Sequence, residues 1–288
     1  MSVNQLARTA AKWMLPAGFA GILRKIRSSP ITTTSNAPPI SRMLSLNSNT
    51  RFNAIHSGRR CFILATGPSI KEQNLVGLEG ELCIAVSHFF LHPAINVIRP
   101  NYHVVAPYHS PFDYVAAHKL FDGLQQAYAD IRPVCFLGYR PYEFSTYDFL
   151  TCHPKLVDLD VRHIDYSASC ELDETNVGLS TTWDICGSPF APRTVVYIAI
   201  QLAAYMGCTS IYLLGCDHDY LSDIKRVTNH HFYREEDGVS DAEHLGSFTL
   251  EQWFEEYHLR WKQYRLMREH LQARGVCIYN ATQGGMLD

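Results

Sequence analysis

Six short apolar runs limit what this chain can fold into: "CFILAT" (61–66), "LCIAVS" (82–87), "YHVVAP" (102–107), "PVCFLG" (133–138), "SIYLLG" (210–215) and "VCIYNA" (276–281). Their hydrophobicity is nearly continuous and does not alternate, as expected for strands covered on both faces of a parallel sheet. Helix-length segments lie between them, notably "RTVVYIAIQLAAYMG" at 193–207 and the stretch 250–275. In the second, Trp253, Phe254, Tyr257, Trp261, Tyr264 and Leu271 recur at helical spacings, and Gly275 supplies the stop. The pattern predicts an α/β fold, a Rossmann-like mostly parallel sheet with helices on both faces, over residues 51–288. A lid region is expected at about 217–250.

Residues 1–50 read differently. Arg8, Lys12, Arg24, Lys25 and Arg27 surround Trp13, Met14, Leu15, Phe19, Ile22 and Leu23, a short helical appendage with no run long enough to span a bilayer. Such a basic amphipathic segment, residues 8–27, either rests on anionic lipid as a peripheral membrane contact or packs on its own domain. Residues 28–50 are rich in Ser, Thr, Asn and Pro and read as a linker. The chain is 47% apolar and 18% charged, as in a folded soluble protein, and its net charge of −3 gives no reason to expect nucleic acid as a partner. Nine cysteines include no Cys-x-x-Cys pair, and several sit inside apolar runs. They read as reduced thiols of a cytoplasmic protein, working at most at the inner face of the cell membrane.

A parallel sheet binds ligands beyond the carboxyl ends of its strands, so the chemistry is sought just after each apolar run. The first run ends in Ala65, Thr66, Gly67, Pro68 and Ser69. Gly67 lets backbone approach a ligand, Pro68 fits the first turn of a helix and Ser69 can cap it, so the turn either holds a phosphate or merely joins strand to helix. The next two ends place Ser87, His88, His92, Tyr108, His109 and Asp113 on the same rim, suited to lining a sugar or base pocket. The fifth run leads to Asp217, His218, Asp219 and Tyr220, then to His230, His231 and Tyr233. An Asp-x-Asp there either holds Mg2+ or Mn2+ against a diphosphate or has Asp217 capping the next segment. His258, between aromatic neighbours, is either a packed histidine or a base.

In order, "FILATGPSIKEQNL", "VSHFFLH", "IYLLGCDHDY" and "LQARGVCIYNATQGGML" resemble the bacterial sialyltransferases of glycosyltransferase family 42. They are similar too to the motility-associated flagellin glycosyltransferases and the 6-hydroxymethylpterin pyrophosphokinase-like proteins. The resemblance covers roughly residues 59–287 and implies a GT-A-like variant of the Rossmann sheet. The family loop Gly-Asn-Gly-Pro-Ser-Leu, which holds cytidine monophosphate, aligns with Ala65 to Ile70; Thr66 and Ser87 stand where the family has asparagines. The family base lies 21 residues before a tyrosine of the last core strand, which falls on His258 relative to Tyr279. Tyr220 and Tyr233 take the place of its phosphate-binding tyrosines, and Arg193 and Thr194 lie near its Arg-Ile-Thr-Ser-Gly helix entry.

The resemblance therefore implies an inverting glycosyltransferase with His258 as base. Thr66, Gly67, Pro68, Ser69, Ser87, Tyr220 and Tyr233 would bind the nucleotide, and His88, Tyr108, His109, Arg193, Thr194 and His231 the substrate. The donor would be a nucleotide sugar, CMP-linked and carrying a sialic-acid-like nonulosonic acid, and the acceptor a surface glycan or protein. No cofactor is required in that reading, and it leaves room for a homo-oligomer. Two alternatives stand beside it: a Mg2+-dependent, ATP-using pyrophosphokinase-like enzyme with Asp217 and Asp219 as metal ligands, and a catalytically inactive nucleotide-binding domain.

Overall fold

The structure is a computed structural model that describes residues 46, 48–107, 114–140, 150, 159–223, 230–233 and 249–287, all within the unit Ser41–Asp288. The strands are β1 Arg60–Leu64, β2 Cys83–Val86, β3 Tyr102–Val105, β4 Val134–Tyr139, β5 Asp160–Asp165, β6 Ser210–Leu214 and β7 Cys277–Asn280. They form one parallel sheet in the order β5-β4-β3-β2-β1-β6-β7. The expected Rossmann-like α/β fold is present, and β5 adds a strand to the six that the apolar runs announce. The order reverses between β1 and β6, which makes their carboxyl ends the topological switch point where open α/β sheets receive ligands.

Four α-helices accompany the sheet among the described residues: α1 Ile95–Ile98, α2 Tyr114–Ala127, α3 Val195–Tyr205 and α4 Leu250–Ala273. On one face α3 crosses β1, β2 and β3 and is buried from Val196 to Ala203, as a helix apolar all round must be. Its one polar interior residue is satisfied, because Tyr166 donates to Gln201 Oε1 at 2.8 Å and Gln201 Nε2 donates to the Phe190 carbonyl at 3.0 Å. Helix α4 lies on the same core through Tyr264, Leu266, Met267 and Leu271. A complete capping box starts it, with the Thr249 side chain and Gln252 satisfying each other's backbone N–H groups. On the opposite face α2 turns Ala117, Leu120, Phe121 and Leu124 inward, at i, i+3, i+4 and i+7, to meet Leu64, Ala85, Val105 and Leu137.

Strands β1 and β6 pair with Leu64 opposite Leu214, so Ala65 and Gly215 leave the sheet side by side. Among the described residues no helix is long and apolar enough to cross a membrane. The basic segment 8–27, Tyr108, His109, Asp113 and most of the expected lid lie outside the described residues.

Candidate functional site at the carboxyl ends of the strands

The turn after β1 is built around a carboxylate of the protein itself. Gly67 is the N-cap of a five-residue 3-10 helix, Pro68–Glu72, and has Pro68 at its first turn but no side-chain cap. Ser69, expected to cap this helix, instead lies within it and donates its backbone N–H to Asp217 Oδ1 at 3.2 Å and its hydroxyl to Oδ2 at 2.9 Å. The anion at the head of this turn is thus Asp217, from the end of β6. Gly67 is needed for that contact, because a Cβ on it would sit 1.8 Å from Asp217 Oδ2 and 2.6 Å from the Gly215 carbonyl oxygen. Behind Asp217, Met286 N–H donates to its carbonyl at 2.7 Å, and Gly285, at φ +80°, passes so close that a Cβ would lie 2.6 Å from that oxygen. Burial raises the Asp217 carboxyl above the usual range while the two Ser69 bonds pull it back.

Residues 230–233 lie over the ends of β1 and β2. Phe232 N–H donates to the Thr66 carbonyl at 2.9 Å, and Thr66 Oγ1 is 3.2 Å from His231 Nδ1. The His231 ring stacks on Tyr233 at 4.9 Å and 6°. Tyr233 Oη stands 3.4 Å from His88 Nδ1, and Ser87 Oγ the same distance from that nitrogen. Ser87 carries φ +53°, an uncommon conformation for a residue with a Cβ, at the exit of β2. Burial, with a lesser contribution from nearby His231, pushes His88 down to about 4, so this imidazole is neutral at pH 7.

At the end of β6, His218 turns inward at φ +49°, with Nε2 2.9 Å from Tyr264 Oη. Tyr257 donates to the His218 carbonyl at 2.7 Å and accepts from Leu221 N–H at 3.0 Å, which ties α4 to the rim. Burial and then the Arg260 cation push His218 down to about 3. Asp219 Oδ1 is 3.2 Å from His230 Nδ1. The buried Nε2 of His230 has no hydrogen-bond partner among the described residues. Its ring lies 5.2 Å from Tyr220, and Arg260 sits over both Tyr220 and Tyr257, 5.7 Å from each ring centroid. Two buried nitrogens of Arg260, Nε and Nη1, have no acceptor among the described residues.

Of the residues expected from sequence, Thr66, Gly67, Ser69, Ser87, His88, Asp217, Asp219, Tyr220, His231 and Tyr233 converge on this rim. Arg193 and Thr194 are engaged at the start of α3 instead. Arg193 pairs with Glu171 at 2.6 Å and Glu256 at 2.8 Å, and Thr194 caps the helix by accepting from Val196 N–H at 3.4 Å. His258 is exposed on α4 and lines a groove against β7. The helix advances about 100° per residue, so His258 and Arg260 leave it about 160° apart, on opposite sides. The carboxylates of the Asp-x-Asp are engaged separately, Asp217 by Ser69 and Asp219 by His230, and no third ligand joins them among the described residues. A divalent ion bridging both would have to break these contacts.

His230 is named from the sequence after the fifth run without a role, and Arg260 is absent from the expected set. The signal for Arg260 is readable, because it falls on the inward stripe Trp253, Tyr257, Arg260, Tyr264, at i, i+4, i+7 and i+11. A cation in that register is either paired inside or waiting for an anion. Fold and site define an α/β protein with a polar switch point that brings Asp217, Asp219 and Arg260 together. Compared with known proteins, the chain matches no family model and no curated protein.

Proposed function

We propose that this chain is an inverting glycosyltransferase whose nucleotide-sugar donor lies over the carboxyl ends of β1, β2 and β6. The observation that carries the reading is Arg260, a cation on the inner face of α4 whose buried Nε and Nη1 have no acceptor among the described residues. A guanidinium left so is costly alone and suits the phosphate of a donor. Tyr220, beneath Arg260, adds a hydroxyl at the same place. Both donors face the leaving group as the bond from its oxygen to the anomeric carbon breaks and charge builds on the phosphate.

The base in this reading is His230. Asp219 holds its Nδ1 side, so Nε2 takes the acceptor's hydroxyl proton. The acceptor oxygen bonds to the anomeric carbon, and the electron pair of the broken bond departs with the phosphate. His258, the base by resemblance, stands across α4 from Arg260, whereas Tyr220 links Arg260 to His230. A CMP-linked nonulosonic acid remains the donor of choice by resemblance.

The test is a thermal-shift and turnover panel of CMP, UDP, GDP and ATP and the corresponding sugar nucleotides, each with and without Mg2+. His230→Ala is expected to lose about 10²- to 10⁴-fold in turnover with nucleotide affinity retained, and His258→Ala to stay within a few-fold of wild type. The opposite ranking transfers the base to His258. Failure of every nucleotide to raise the melting temperature overturns the reading, and ATP turnover that requires Mg2+ and Asp219 but not His230 replaces it with the pyrophosphokinase-like one.

A further inference from the structure

The outer face of α4 and strand β7 enclose a groove of about 680 Å³. From the helix it receives His258, Trp261, Lys262, Arg265 and Arg268, spaced at i, i+3, i+4, i+7 and i+10, one continuous stripe. Such a stripe on an exposed helix ordinarily mixes charges of both signs. Here all its charges are basic. Among the described residues the one acid lining the groove is Glu174, which is shared between Lys262 at 2.8 Å and Arg265 at 3.7 Å, and Arg265 also pairs with Glu269 at 3.1 Å. Arg268 has no ion pair among the described residues. With three cations against these two carboxylates, the groove is positive on a chain whose net charge is −3.

Its aromatic part is fixed in place. Trp261 stacks on Tyr257 at 5.0 Å and 21° and meets the His218 ring edge-on, so its orientation is set by the core beneath. From β7, Tyr279 is 45% exposed although its ring stacks on Tyr212 at 4.9 Å. Rings held with a face or edge in solvent offer flat apolar area at little entropic cost, and nearby guanidinium and ammonium groups supply directional donors. The volume is that of a pocket for a ligand of a few rings, too confined to track a nucleic-acid duplex.

We infer that this groove binds an acidic oligosaccharide, a short chain of ring sugars bearing carboxylates, with Arg268 and Lys262 on the carboxylates and Trp261 and Tyr279 against the rings. The binding does not rest on the glycosyltransferase reading, whose donor and base lie on the other side of α4. The full chain is titrated by calorimetry with a galacturonate tetramer, a neutral maltotetraose and a single-stranded oligonucleotide of equal charge, at low and moderate salt. The inference expects binding of the uronate alone, weakened by salt. Arg268→Glu, Arg268→Gln and Trp261→Ala are each expected to lower affinity by tenfold or more; the two Arg268 variants keep the wild-type melting temperature and response to nucleotide at the rim, whereas Trp261→Ala, which also loses packing on Tyr257 and His218, melts lower.

Uronate binding unchanged by all three substitutions overturns it, as do equal binding of the neutral sugar, tighter binding of the oligonucleotide, and no binding of the uronate at millimolar concentration. Failure of the nucleotide panel together with retained uronate binding removes the enzyme reading and leaves the groove assignment standing.

Discussion

Replacing Gly67 by alanine tests whether Asp217 fills the turn after β1. The new Cβ would stand 1.8 Å from Asp217 Oδ2 and 2.6 Å from the Gly215 carbonyl, and real Cβ atoms essentially never come that close. The backbone oxygen already accepts from the Gly67 N–H at 2.8 Å, so the carboxylate has to retreat. It then loses both bonds from Ser69, at 3.2 and 2.9 Å, while only 5% of the residue is exposed to recover them from water. Two bonds to a charged group at about 1.5–3 kcal/mol each put the cost of Gly67→Ala at roughly 3–6 kcal/mol. Asp217→Ala alone leaves the Ser69 N–H without its acceptor and costs about 1–3 kcal/mol. In the Asp217→Ala background the alanine at 67 meets only the Gly215 oxygen, so it costs less than in wild type. The double-mutant cycle is expected to show a coupling of at least about 2 kcal/mol. Urea unfolding followed by tryptophan fluorescence and circular dichroism measures all four corners. A Gly67→Ala cost below about 1 kcal/mol, or one that is equal in both backgrounds, refutes the reasoning.

Two further outcomes follow from the buried groups. His88 is held at about 4 and His103 and His218 at about 3; each titrates near 6.5 once unfolded. The unfolded chain therefore binds more protons below that value, so stability is full above about pH 6.5 and is lost as pH falls toward the folded values. At pH 5 each histidine costs about 2 kcal/mol relative to pH 7.5. The sum, about 6 kcal/mol, is comparable with the whole stability of a domain; urea midpoints that stay flat from pH 7.5 to 5 contradict it. Arg260→Met is expected to keep or raise the melting temperature, since it removes an unpaired cation, while nucleotide affinity drops tenfold or more. Loss of stability with unchanged nucleotide binding would make Arg260 a structural residue.

The parallel sheet was legible because its central strands are buried on both faces, a burden that only continuous apolar runs meet. Strand β5 was not, because it sits at the sheet edge. Its sequence "DVRHID" puts Asp160 and Arg162 at the solvated end, where they form an ion pair, and only the last three residues are buried. The same logic divides the rim. Residues that leave a strand end directly, such as Thr66, Ser87, Asp217 and Asp219, are found by counting from the apolar runs. Residues 230–233 are named from their place after the fifth run, but the bond from Phe232 to Thr66 that sets them over β1, and the pairing of His230 with Asp219, are not readable from spacing.

The turn Ala65–Ser69 shows a different limit. A glycine without Cβ and a free N–H on Ser69 are what an incoming phosphate requires, and they are equally what a carboxylate of the same chain requires. The sequence around the turn is identical in both cases, and the difference lies 148 residues away, at Asp217. Once Asp217 occupies the turn, a phosphate there would meet like charge in a poorly solvated place, and repulsion would cancel what the N–H group offers. Any anionic ligand is then directed outward from the turn, toward a cation with unsatisfied nitrogens. Among the described residues Arg260, on the aromatic stripe of α4 above the end of β6, meets that condition through its buried Nε and Nη1, and it sits over Tyr220, whose ring lies beside the histidine that Asp219 holds.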